Sequence, residues 1–215
     1  MVAVIIIILA SFGGGSFYRT AVANPYVLDD ELGYDRAIRF FSLLYLFAHV
    51  LGPCMLVFLL ISARDWMHSR GAIMAEGLFY VGMLGLGLWT ISGTLWAGLM
   101  PATPRILDDP AQETTIMIFI RSASAGFLDV AFMVISLHSI GVGVFAWRQG
   151  WGFLGQVGLL TGISMLVIGL LGPFDRLNPL GVYGYGAPIF YLFTLSATLL
   201  YQADALEDHS TESHP

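Results

Sequence analysis

The chain contains no lysine: its nine cationic side chains are all arginine, at positions 19, 36, 39, 64, 70, 105, 121, 148 and 176. Without an ε-amine there is no retinal or pyridoxal Schiff base and no phosphate loop of the Walker type. Cysteine is almost as scarce. Cys54 stands alone, which excludes an intramolecular disulfide, a CxxC redox centre and a thiolate metal cage. Charge of either sign is thin, at 11% of 215 residues, whereas soluble domains carry about 25%. The acids outnumber the arginines, leaving a formal charge of −6. They gather in "VLDDELGYD", "ILDDPAQE" and the tail "ADALEDHSTESHP". No basic patch is offered to nucleic acid, so nucleic acid is not an expected partner.

What fills the chain instead is apolar. Hydrophobic residues make up 57% and the mean hydropathy is +0.77. A membrane-spanning helix needs about 20 mainly apolar residues, because in hydrocarbon each backbone amide must be satisfied within its own segment. Six segments qualify, at about 2–17, 40–63, 73–100, 116–147, 153–173 and 183–203. The pattern therefore predicts an all-α fold, a polytopic transmembrane bundle of about six helices over 1–203 with an acidic, flexible tail over 204–215. The segment 2–17 has no cation before its apolar run and no convincing small-x-small cleavage site after it, so it reads as an uncleaved helix. The arginine tally of the linkers favours an outside N-terminus. The character of the linkers points the other way, with "ARDWMHSRG" and "WRQG" resembling cytoplasmic turns. The lipid bilayer is the expected partner, with other membrane subunits or a second copy as further candidates.

Within the segments, residue types sort onto faces. Gly155, Gly158, Gly162, Gly169 and Gly172, with Met165 filling the missing step, follow a three-four spacing that lets two helix backbones approach closely. Close packing is what such stripes mostly do in membranes, and a sliding transporter surface is the functional alternative. A polar stripe, Glu76, Tyr80, Met83, Gly87, Thr90 and Thr94, runs along 73–100. Others comprise Ser42, Tyr45, His49 and Gly52, then Ser122, Asp129 and Ser136, then Tyr191, Thr194, Thr198 and Tyr201. Lipid penalises polar groups, so these stripes are expected to turn inward around a hydrated interior.

The ionisable members carry the functional expectation. Asp129 follows Arg121 by eight residues, and His49 follows Arg39 by ten. If both arginines mark one membrane face, both groups lie roughly 12–15 Å inside it. A carboxylate facing an imidazole at that depth keeps an ion pair or shares a proton. Pro53 cannot donate to the His49 carbonyl, which leaves an acceptor free at the same place. The candidate ligand or proton site is therefore His49 and Asp129 with Tyr45, Tyr80 and Arg121 around them, and Glu76 at the opposite mouth.

His138 raises haem b as an alternative, held between His49 and His138. Two features weigh against that pair. His138 lies about 10 Å deeper than His49 by helical rise, and it stands half a turn away from Asp129. Axial ligands must meet one iron from matched depths. No cofactor and no metal is therefore expected. HExxH, His-box and Ser-His-Asp patterns are missing, so the chain reads as a non-enzyme. An intramembrane isomerase working through Glu76 and Asp129 is the enzymatic reading left open.

From "AFMVISLHSIGVGVFAWRQGWGFLGQVGLLTGISMLVIGLL", residues 131–171, the chain resembles a group of bacterial six-helix membrane proteins of unknown function. In that group a long fourth helix ends in an arginine turn and a glycine-rich fifth follows. The "Pro-Arg" usual after the turn is replaced here by "WGF". The resemblance implies a multi-pass protein of the bacterial inner membrane and implies no activity. Three functional expectations follow: a polar intramembrane site that binds or passes a small solute or proton, a non-catalytic subunit of a larger membrane complex, and an electron-transfer haem subunit.

Overall fold

The computed structural model describes residues 50, 52–95, 110–171 and 191–201. These residues form helices and the turns between them, and no strand occurs among them. The helices are α1 (Gly52–His68), α2 (Ala75–Thr94), α3 (Pro110–Arg148), α4 (Gly152–Leu171) and α5 (Tyr191–Tyr201). Among the described residues, three helical stretches are long and apolar enough to cross a membrane: α2, Ile118–Arg148 of α3, and α4. The segment expected over 2–17 lies outside the described residues, as do Tyr45, His49 and the tail.

Both short connections are closed by the same device. At the end of α1 the Ala72 N–H reaches the Met67 carbonyl at 3.0 Å and the Gly71 N–H reaches that of His68 at 2.9 Å. At the end of α3 the Trp151 N–H reaches Ala146 at 2.9 Å and the Gly150 N–H reaches Trp147 at 3.1 Å. This crossed pair is the Schellman motif, and it needs a residue with positive φ just past the helix. Gly71 (φ 75°) and Gly150 (φ 84°) supply it, since glycine has no Cβ to clash there. Each helix thus reverses within a few residues, and an antiparallel hairpin follows.

The chain divides into two compact units. Within the first, 57–85 and 132 onward, Trp66 of α1 meets Phe145 of α3 edge to face at 5.3 Å. Both rings stand five residues before their turn glycine, so the two hairpin tips lie at one end and α1 runs parallel to α3. The Cβ-less positions show how α2 and α3 cross: a Cβ at Gly82 would meet His138, one at Gly85 would meet Ile135, and one at Gly141 would meet Leu78. The order runs opposite in the two helices, as an antiparallel pair requires.

The α3–α4 seam is tighter. A Cβ on Gly158 would lie 2.8 Å from Gly143 Cα and 2.9 Å from the Ser139 carbonyl oxygen. On Gly155 it would lie 3.1 Å from the Gly143 oxygen, and on Gly162 2.9 Å from that of Ser136. Backbone therefore rests on backbone, with Cα–H groups set against carbonyl oxygens. Gly169 continues the buried face. Gly155, Gly158 and Gly162 are thus packed against α3 of their own chain.

Within the second unit, 86–131 and the residues up to Leu56, α2 and α3 are joined by a serine clasp. Ser92 Oγ donates to the Ser124 carbonyl at 2.8 Å and Ser124 Oγ donates to that of Ser92 at 2.9 Å, with both hydroxyls buried. Replacing either serine by alanine is expected to cost about 1 kcal/mol. The double replacement should depart from the sum, because the two hydroxyl oxygens lie 3.0 Å apart and the rotamer of each depends on the other. A thermal double-mutant cycle reads this coupling, and strict additivity would show two independent bonds.

Candidate functional site

The stripe on α2 turns outward. Tyr80 is 66% exposed, Gly87 and Thr94 are exposed, and Glu76, Met83 and Thr90 are half-buried. The inward face is instead Ala75, Leu78, Gly82, Gly85, Leu86, Trp89 and Ser92. The reason is local. Thr90 and Thr94 donate to the carbonyls of Leu86 and Thr90, four residues back, at 2.9 and 2.8 Å. A threonine satisfied on its own helix faces lipid at little cost. Tyr80 lies edge-on to Phe79. Ser196 and Thr198 of α5 use the same back-bond.

Glu76 belongs to a charged cluster at the α1–α2 turn. Its Oε1 lies 3.0 Å from His68 Nε2 and 3.9 Å from Arg64 Nε. Arg64 also holds Asp65 at 2.9 Å and covers the Phe79 ring at 5.0 Å. Asp129 is half-buried on α3, and no hydrogen bond or ion pair reaches it among the described residues. Arg121 stands on the same helix eight residues earlier. His49 and Tyr45 fall outside the described residues, so the His49–Asp129 pair rests on the sequence alone.

The buried polar chemistry of the first unit centres on His138, which is 2% exposed. Its Nδ1 lies 2.9 Å from the Leu78 carbonyl oxygen. A carbonyl only accepts, so Nδ1 carries the proton and donates it. In the neutral ring Nε2 is then a bare acceptor, and it is buried with no partner among the described residues. Gly82 makes the contact possible. In a regular helix the side chain four residues on leans over this carbonyl. A Cβ at Gly82 would lie 3.1 Å from Nδ1 and 2.9 Å from Leu60 Cδ1.

Three more buried polar atoms of the same unit lack a partner among the described residues: Trp66 Nε1 and the hydroxyls of Ser139 and Tyr191. Ser139 is fully buried and Tyr191 of α5 is 1% exposed. Interior polar atoms are almost always satisfied by protein, water or ligand. A bare imidazole nitrogen and two hydroxyls in one helical interior can accept from, and donate to, a small neutral molecule. They offer no charge to an anion. Among the described residues no group of three His, Cys, Asp or Glu could hold a metal.

Sequence reasoning set His138 aside as a mismatched haem ligand and did not single out Ser139 or Ser92. The signal that could have found His138 is Gly82, a small residue among larger ones on the face that α3 meets.

Among the described residues the protein is all-helical, with three helices long and apolar enough to cross a membrane. No family model, curated protein or solved structure matches the chain. The likeness of residues 131–171 to six-helix proteins therefore adds nothing to the functional argument.

Proposed function

We propose that this chain is a multi-pass protein of the bacterial inner membrane, a bundle of about six helices whose polar interior binds or passes a small solute or a proton. The observation that supports it most is the bare, buried Nε2 of His138, with the Ser139 and Tyr191 hydroxyls also buried without a partner among the described residues. Leaving such atoms dry costs about 1–3 kcal/mol each. A purely structural bundle gains nothing from keeping them. Intramembrane ionisable residues mark ligand or proton paths by default, and His49 with Asp129 supplies the titrating pair of the same proposal. The reading as a non-catalytic subunit loses its main support, because the glycine face it would dock through is filled by α3.

Proteoliposomes loaded with a pH-sensitive dye test the proposal. The protein should pass protons faster than protein-free vesicles, and His138→Leu and Asp129→Asn should each remove the excess. If folded protein adds no flux and mass spectrometry finds no co-purifying small molecule, the proposal fails.

One feature favours haem b as a second reading. A ring that donates Nδ1–H to a backbone carbonyl and keeps Nε2 bare is oriented as an axial ligand is. The expected absorbance spectrum nonetheless shows no Soret band. A stoichiometric band lost in both His49→Ala and His138→Ala would install the haem reading instead.

A further inference from the structure

The two hairpin tips of the first unit carry a surface that the polar interior does not explain. Ile73 is 97% exposed and Met74 69% exposed, directly before α2 begins. Across the other tip, Trp147 is 52% exposed and Phe153 66% exposed. The Schellman bonds hold both tips in fixed shape, and the Trp66–Phe145 contact puts them at one end. Each tip also carries an arginine. Arg70 lies over the Trp66 ring at 5.2 Å with its Nη1 3.4 Å from Ser69 Oγ. Arg148 ends α3 and is exposed.

Depth decides what covers this surface. Helices α2 and α4 have 20 residues each, or about 30 Å at the helical rise, which matches the hydrocarbon core of a bilayer. Both helices start at these tips. The tips therefore fall in the next layer out, about 5–7 Å deep, where headgroups lie. That layer is half wet and half apolar. It favours tryptophan and amphipathic arginine, and it offers anionic phosphate to the guanidinium.

We propose that the tips 69–74 and 147–153 form one surface bedded in the headgroup layer of an anionic leaflet, with Ile73, Met74, Trp147 and Phe153 inserted and Arg70 and Arg148 on lipid phosphate. The proposal rests on the membrane-spanning reading, and its test separates the two. Ile73→Cys and Phe153→Cys, each in full-length Cys54→Ser protein, carry an environment-sensitive fluorophore in nanodiscs of phosphatidylglycerol and phosphatidylcholine. Leu84→Cys, on the exposed face of α2, is the control for the span. Labels at 73 and 153 should be quenched several-fold more by headgroup spin-labelled lipid than by chain-end spin-labelled lipid, with the reverse at 84. Arg70→Gln and Arg148→Gln should each lower the preference for anionic over zwitterionic headgroup quencher roughly fivefold, the worth of one arginine at such a surface.

If aqueous iodide reaches 73 and 153 freely while 84 is shielded, the tips project into water or await a protein partner. That result overturns this inference and leaves the span intact. Iodide reaching all three positions defeats the span itself. A headgroup preference unchanged in both arginine variants overturns the phosphate contact.

Discussion

Gly158→Ala should destabilise the protein while Gly87→Ala stabilises it, although both add one methyl to a helix interior. In the helix alone the change is favourable by about 0.5–1 kcal/mol, because alanine has less backbone freedom to lose than glycine. Gly87 realises that gain, since nothing stands within 4 Å of its missing Cβ. At Gly158 the new carbon would lie 2.8 Å from Gly143 Cα and 2.9 Å from the Ser139 oxygen. Both are backbone atoms of a long helix, and they cannot swing aside as a side-chain end can. The helices must separate along the seam, at a cost of about 1–3 kcal/mol. Gly158→Leu should go well beyond that and Gly162→Leu should follow it, whereas Leu159→Ala, on a half-buried position, costs far less. Thermal unfolding in detergent reads all five variants. Equal shifts at Gly87 and Gly158 would mean that α3 and α4 do not meet on this face.

The seam was legible because in lipid a small side chain has few reasons to recur at three-four spacing other than contact. The tight turns were legible too, since an arginine turn ending in glycine is a helix stop in any solvent. The orientation of α2 was not. Polarity suggests an inward face, yet Thr90 and Thr94 are satisfied by their own helix. Small volume at Gly82 and Gly85 marked the true inner face. The His138 arrangement was hidden for a different reason: its partner is the carbonyl of Leu78, and a backbone acceptor exposed by a glycine leaves no signature in residue chemistry. Glu76 shows the opposite case. Its acid reads in the sequence as the mouth of a polar interior, but it lies in the first turn of α2 and finds His68 and Arg64 there.

Replacing His138 by leucine is expected to leave stability unchanged or raise it, while His138→Ala should cost about 2–5 kcal/mol. The difference separates shape from polarity. Alanine removes a large, fully buried ring and leaves a cavity among Leu60, Leu78 and Gly82. Leucine keeps most of the volume. It forfeits the bond to the Leu78 carbonyl, worth about 1 kcal/mol net, but it also removes a buried acceptor whose isolation costs about 1–3 kcal/mol. Leu78 loses little, because its carbonyl is the one that the Gly82 N–H meets in a regular helix. A residue that the fold would be as stable without is retained for something else, and in His138→Leu the proton or solute activity should vanish while the thermal midpoint holds. Gly82→Ala adds the complementary measurement. Its Cβ would crowd Nδ1 at 3.1 Å, so it should drive the ring off the carbonyl at about 1–3 kcal/mol. In the His138→Ala background much of that penalty should disappear, a coupling of about 0.5–3 kcal/mol for residues in contact. Nitrogen NMR of labelled histidine in the intact protein should show one protonated and one bare ring nitrogen for His138, and Gly82→Ala should shift the protonated one. A marked loss of stability in His138→Leu would make the imidazole a structural bond to Leu78 and remove the main support for a polar site at this position.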